Sequence, residues 1–532
     1  MSDNARWTDH DSQAITDLLS VVSDDSAGQI SPSVYETARL VSGAPWLAGH
    51  SARVRFLLSA QNPGGDWGSP DGYDVVPTLS ATEALLTAMR QPEPICDLDL
   101  GAVIRATTGG LRALAGRLGR HRPDPIPDTI AVELIVPWLV ARLNQHLGEL
   151  RTKPMAGLDS WVTARLNLPS NLDGTVAAKL QAAVRNGHII PEKTWHSLEV
   201  FDDHARQAPF IRPEGGVVCG SPAATATWTG PGIRHRRSRE FLEELQARHG
   251  GAVPGVTSIE FFERAWVTAM LADANINTAV PDNIPASMRA GLTEYGLGAG
   301  SGLPADADDT AAVLYALARL GFPGPIDSLH DYELDGYFCC FPGEQTPSIS
   351  TNAHVLDAYG LHLLLAPERP DRLKAGIRKV SAWLLAHQRS DGSWQDKWHA
   401  SDYYATMCCT VALARFGGPT AYEAIATAIS WTLATQRADG SWGRWEGTVE
   451  ETSYAVQLLL HSTAPWSDDA AAVAAARGRD FLRRMGDTAS HPPLWHDKDL
   501  YTPIAVVRAA GLAALHLAAI RSDVALMSEV AK

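Results

Sequence analysis

The sequence predicts an all-α fold, and three observations predict it. Apolar residues recur three and four positions apart through long stretches, strand-like alternation is scarce, and a Gln/Gly/Trp segment returns after helical stretches. The helical spacing is clearest in Ser80 to Arg90, Ala311 to Gly321, Arg372 to Gln388 and Tyr422 to Gln436, several of which are followed by Gly or Pro.

The repeated segment reads QNPGGDWG at 61–68, QRSDGSW at 388–394 and QRADGSWG at 436–443. The last two copies lie 48 residues apart, room for a helix pair and its loops, so stacked helical units are expected. Their residue types assign structural work. Gly permits a tight turn, Gln can tie down backbone groups left open at helix ends, and Trp can cover the joint between neighbours.

At 532 residues the chain exceeds what one hydrophobic core normally supports, and two domains are expected. The Gly/Pro-rich run His249 to Gly255 marks a candidate junction. Apolar residues at 45% and charged residues at 20% are those of an ordinary globular protein. A formal charge of −15 argues against nucleic acid, which needs basic patches, but leaves room for an anionic small substrate met by local Lys, Arg or Mg²⁺. The first residues carry no basic segment leading into an apolar run, and no later apolar run is long enough to cross a bilayer, so a soluble cytoplasmic protein without stable membrane insertion is expected. Six cysteines, including the neighbours Cys339, Cys340 and Cys408, Cys409, form neither a disulfide framework nor a metal-site spacing and are read as reduced.

The residues that carry chemistry are Asp306, Asp308 and Asp309, three carboxylates in four positions immediately before an apolar helix. Helix capping explains one or two of them. Held together in a recess, the three repel one another unless one keeps its proton, which makes the set a candidate proton store. Divalent-metal binding is the third reading, and the residues alone leave all three open.

The segment DADDTA at 306–311 resembles the DxDDTA signature of class II terpene cyclases and squalene-type cyclases. Together with the Gln/Trp repeats this is specific. SPSVYETA (31–38), WHSLE (195–199), GSPAATA (220–226), IEFFERAW (259–266), YFCCFPGEQTPSISTNAH (337–354) and PLWHDKDLYTP (493–503) are similar, in order, to blocks of the copalyl diphosphate synthases of the diterpene branch. The resemblance spans nearly the whole chain. It implies two α/α-barrel domains, a β domain at about 1–48 and 265–532 carrying the acid motif and an inserted γ domain at about 49–264, with the active site between them. No convincing DDxxD occurs, so no ionisation-type domain is expected and the diphosphate stays on the product.

The implied reaction is bicyclisation of geranylgeranyl diphosphate to ent-copalyl diphosphate, started by a proton from Asp308 with Asp306 and Asp309 as orienting neighbours. The product then passes to a separate class I diterpene synthase. A copalyl diphosphate synthase of other stereochemistry and a squalene-type triterpene cyclase are the alternatives. A cation passing through the site needs aromatic walls, for which Trp266, Tyr295, Tyr332, Phe338 and Phe341 are candidates. The resemblance places a terminating His at His196. The matching Asn position carries His249, a departure that weakens the pair. Lys498, and more weakly Lys397, stand for the diphosphate ligand, and Asp124, Asp128 and Glu133 for the Mg²⁺ site, at a spacing unlike the usual EDxxD pattern.

Overall fold

The computed structural model describes residues 7–91, 98–206, 208–232, 235–344, 346–368, 370–462, 469–486, 491–521 and 524, and Cys96 lies outside them. The regular structure of the described chain is helical apart from isolated bridges and the two-residue strands Trp495–His496 and Leu500–Tyr501. It opens with α1 (Asp9–Asp24), then α2 (Val34–Gly43), α3 (His50–Ser59), α4 (Val75–Arg90), α5 (Leu100–Leu118), α6 (Val132–Glu149), α7 (Thr175–Arg185), α8 (Pro222–Thr229) and α9 (Arg236–Arg248). There follow α10 (Glu260–Asp273), α11 (Asn283–Gly291), α12 (Ala307–Arg319), α13 (Ile349–Leu365), α14 (Asp371–Ala386), α15 (Asp402–Phe416), α16 (Tyr422–Ala434), α17 (Val449–His461), α18 (Asp469–Met485) and α19 (Ile504–Ile520). None of the described helices is long and apolar enough to cross a membrane.

The chain divides into two compact units, a first of 1–29, 258–495 and 502–532 and a second of 30–257 and 496–501. These limits differ from the expected 48/49 and 264/265. Packing accounts for the difference, because α2 lies between α4 and α8 in the second unit, and the 496–501 segment buries its charges among second-unit residues.

Within the first unit α10, α12, α13, α15, α17 and α19 pack each against the next, and α19 closes on α10. The other helices lie outside this ring, α14 against α13 and α15, α16 and α18 against α17. The second unit closes a smaller ring of α2, α4, α6, the 3-10 segment Glu192–Ala205 and α8. The ring helices are apolar on most of their surface, as helices covered on all sides must be.

The Gln/Gly/Trp segments join an outer helix to the next ring helix with one wiring. Each Gln reaches a carbonyl inside its own turn and one on the next outer helix: Gln61 to Gly65 and Ala106, Gln388 to Gly392 and Ala424, Gln436 to Gly440 and Ala474, all at 2.7–3.0 Å. Each Trp is fully buried, and its indole donates to the end of the preceding helix at Leu57, Leu384 or Thr432. Its backbone N–H donates to Thr78, Thr406 or Thr452 in the following helix. Gly392 and Gly440 have φ of 96° and 92°, and a Cβ at either would stand 2.5–2.6 Å from a backbone oxygen. Replacing Gln436 with Leu strands two partly buried carbonyls, and a loss of about 1–3 kcal/mol is expected in denaturant unfolding.

Candidate active site

The acid motif opens ring helix α12. Asp306 is the N-cap, extended at φ −145°, and its carboxylate accepts from the Asp309 N–H at 2.8 Å. Two loops fix this helix start: Leu297 accepts the Asp306 N–H at 3.1 Å and Cys340 accepts the Ala307 N–H at 3.0 Å. Asp308 and Asp309 therefore fall in the first turn, on different faces, with Asp309 buried and Asp308 still 16% exposed.

This placement divides the labour among the three carboxylates. Burial, with Asp306 beside it, pushes Asp309 far above the ordinary carboxylate range, so it keeps its proton and donates it to Asp306. Burial raises Asp306 to about 7, and the bond from Asp309 works the other way. Helix capping is thus the work of Asp306, and Asp309 sits buried beside it. Asp308 turns instead to His354 on α13, whose Nδ1 lies 2.7 Å from its Oδ1. Burial opposes charge on that ring, but Asp308 raises the His354 pKa well above the usual histidine value, so the imidazolium donates to Oδ1.

Aromatic side chains surround His354. Trp266 meets its ring edge-on at 5.1 Å between centroids and donates to the Tyr404 hydroxyl at 2.9 Å. Tyr404 packs against His399, Tyr454 and Trp495, and Phe262 lies between Trp266 and Trp495. Such faces tolerate positive charge without supplying a nucleophile.

The second unit holds a separate buried cluster. Lys498 is fully buried, and its ammonium bonds Glu36 at 2.5 Å, Glu199 at 2.9 Å and the Ser221 hydroxyl at 2.9 Å. His196 lies 2.8 Å from Asp497 through Nε2 and 2.7 Å from the Cys219 carbonyl through Nδ1. Ser33 and the Tyr35 N–H both donate to Asp499.

Comparison with known proteins places this arrangement. Residues 346–484 match the squalene-hopene cyclase C-terminal domain family. The chain is 46% identical to the ent-copalyl diphosphate synthase of Streptomyces sp. (strain KO-3988), over 94% of this chain and 95% of that one. It is 38% identical to the copalyl diphosphate synthase of Streptomyces cyslabdanicus, over 96% and 97%. The solved ent-copalyl diphosphate synthase from Streptomyces platensis superimposes with a TM-score of 0.91 at 46% identity, covering 96% of this chain and 99% of that one. The chain belongs to the copalyl diphosphate synthase family of class II diterpene cyclases.

Several residues expected to serve this cyclase are placed otherwise. Burial works against charge on His196 but Asp497 raises its pKa, and with both ring nitrogens donating the imidazolium has no lone pair for a proton. His249 caps the C-terminus of α9 and is not the group on either His196 nitrogen. The pair is therefore not a base holding a water. Lys498 is enclosed by two carboxylates, and Lys397 pairs with Glu344 while donating to the Thr346 carbonyl at 2.7 Å, so neither ammonium is open to a diphosphate.

Of the five aromatic candidates only Trp266 lies against His354. Tyr295 is 63% exposed and contributes its carbonyl, which accepts from Tyr332. Tyr332 is buried close enough to Asp306 that, after burial, the carboxylate raises its phenol. Phe338 packs edge-on against Tyr359, and Phe341 faces Trp398. His354 closes one of the recognised blocks, yet sequence reasoning gave it no role. Tyr404, Cys408, Val411 and Arg415 form a stripe at helical spacing, a usable signal for a ring-facing surface.

The three metal candidates are not gathered into one site, and no set of three or more His, Cys, Asp or Glu among the described residues is placed to hold a metal. Asp124 turns to Arg120 at 3.7 Å. Asp128 lies near enough to Glu133, in the first turn of α6, that after desolvation its charge raises the Glu133 pKa.

Proposed function

We propose that this cyclase converts geranylgeranyl diphosphate to ent-copalyl diphosphate, with Asp308 as the proton donor. The observation that carries the reading is the hydrogen bond from the His354 imidazolium to Asp308, at the positive end of α12 and against an aromatic wall. In the reaction the Asp308 O–H bond breaks as a C–H bond forms at the terminal alkene. The tertiary cation left behind is attacked in turn by two neighbouring alkenes, closing two rings, and loss of one C–H proton ends the sequence with the diphosphate still attached. His354 stabilises the carboxylate that Asp308 becomes, an electrostatic contribution aimed at charge that develops during the reaction. Asp309 donating to Asp306 keeps the neighbouring charge low, and the aromatic faces shelter the cation from water.

The ent configuration follows the 46% identity to two ent-specific relatives, against 38% to a synthase named without that prefix. Incubating the purified protein with geranylgeranyl diphosphate, removing the phosphates and resolving the alcohol by chiral chromatography tests it. The ent alcohol is expected. A normal or syn product overturns the stereochemistry, and turnover of squalene in place of the diphosphate overturns the substrate.

Mg²⁺ is the cofactor this reading requires. Of the three expected carboxylates, Asp128 and Glu133 lie near each other, and a hard cation can be taken by one or two carboxylates together with substrate phosphates. When bound it neutralises diphosphate charge. Asp128→Asn with Glu133→Gln is expected to raise the Mg²⁺ concentration for half-maximal rate by about 10-fold, the scale on which altered ligation acts, with thermal stability unchanged. The retained diphosphate calls for a separate class I enzyme that ionises it. The five described cysteines are free and buried, as suits a reducing cytoplasm.

Removing His354 has a smaller effect than removing the donor. His354→Phe keeps the packing against Trp266 but deletes the bond to Asp308. Its kcat is expected to fall by about 10²-fold, the cost of one donor aimed at developing charge, with KM for geranylgeranyl diphosphate little changed in steady-state kinetics.

A further inference from the structure

Tyr404 stands between the acid and a buried carboxylate. On one side its hydroxyl accepts from Trp266 at 2.9 Å and lies 3.5 Å from Nε2 of His354, the ring that bonds Asp308. On the other its ring packs against His399, Tyr454 and Trp495, at 5.0, 5.3 and 4.7 Å between centroids. Those three rings come from the turn before α15, from α17 and from the short strand at 495–496, yet all three are wired to one atom. Glu450 Oε1 accepts from the Trp495 indole at 2.7 Å, from the Tyr454 hydroxyl at 3.0 Å and from His399 Nε2 at 3.1 Å. The Ser401 N–H donates to Nδ1 of His399 at 3.0 Å, so the ring proton is on Nε2 and points at Glu450.

Glu450 lies in the first turn of α17 and is fully buried, but capping of that helix falls to its neighbours. Thr448 accepts from the Glu451 N–H, and Glu451 accepts from the Thr448 hydroxyl, the Ser401 hydroxyl and the Arg444 N–H. The second oxygen of Glu450, Oε2, is buried with no hydrogen bond among protein groups. An amide side chain would offer the three donors the same single oxygen. What the carboxylate adds is charge, held in an interior where charge is felt more strongly than in water. Each N–H or O–H donated to it polarises the ring that carries it, and the ring faces become better partners for a cation.

Resting on the function proposed above, we infer that Glu450 is a positioning residue of the cyclisation, which through His399, Tyr454 and Trp495 orients the wall behind Tyr404 and makes it more attractive to the first tertiary cation formed beside Asp308. No bond to Glu450 forms or breaks in the reaction. Its charge is in place beforehand and favours the cation over the neutral alkene from which the cation forms, so the stabilisation is specific to the reacting state.

Two inhibitors of one shape separate this from a packing role. One is an analogue of geranylgeranyl diphosphate with a protonated tertiary amine where the first cation forms, and the other has a saturated carbon there. Glu450→Gln keeps an oxygen for the three donors and removes the charge. Its inhibition constant for the amine is expected to rise by about 10-fold, the scale of a desolvated contact between a cation and a ring, while that for the saturated analogue is unchanged. In steady-state kinetics kcat falls by a similar factor at constant KM. Tyr454→Phe keeps the ring and deletes one donor, so it shifts the same ratio by a smaller factor, and it decides the matter if Glu450→Gln does not fold. Equal weakening of both inhibitors, or of neither, overturns the role. A parent enzyme that does not turn over geranylgeranyl diphosphate instead overturns the function on which the role rests.

Discussion

Asp308→Asn is expected to fold as the parent does and to cyclise geranylgeranyl diphosphate at least about 10³-fold more slowly, within the range that a general acid supplies. The amide oxygen still accepts from His354, so the contact of α12 with α13 survives, while the proton for the alkene is gone. Asp306→Ala acts differently. That side chain caps α12, so its loss lowers stability as well as rate. A single-turnover assay beside a thermal melt distinguishes the two. Unchanged turnover by Asp308→Asn removes this residue from the chemistry.

Lys498→Met carries the largest expected effect on stability. The ammonium is fully buried between Glu36 and Glu199, and deleting it leaves two carboxylates without their cation. Breaking such a pair costs about 3–5 kcal/mol. Desolvation already brings Glu36 to about 7 with Lys498 present, so in the variant the second unit must bury a proton or a bare charge. Denaturant unfolding is expected to show this loss in the second unit. A diphosphate-binding lysine behaves in the opposite way, with KM rising and the melting curve unmoved, and that outcome restores the role the structure denies it.

The contrast between these residues shows what was legible beforehand. The Gln/Gly/Trp turns are local, each residue bonding within its own turn or to the adjoining helices, so residue type and spacing foretold both helix pairs and stacking. The acid motif was legible for the same reason, since Asp306, Asp308 and Asp309 are ordered by one helix start. Its partner was not, because His354 is brought to Asp308 by the packing of α13 on α12, which no local pattern encodes.

The burial of Lys498 was not legible for a related reason. A lysine in the polar run HDKD looks solvent-facing, yet the acids that bury it lie at 36 and 199. Tyr295 is close to the motif in sequence and faces solvent, because nearness along a turn does not fix direction. The wall residue Tyr404 sits on α15, whose first three turns are buried on every side, and a helix without a polar face gives no bearing on which side meets the reaction.

Cyclisation in deuterium oxide tests the central claim most directly, with the product examined by mass and deuterium resonance and the medium assayed for pyrophosphate. Proton-initiated closure predicts one deuterium per molecule, on the ring carbon that was the terminal alkene, and no pyrophosphate released. Bicyclic product without deuterium, or release of pyrophosphate with ring closure, contradicts an account in which Asp308 supplies the first proton.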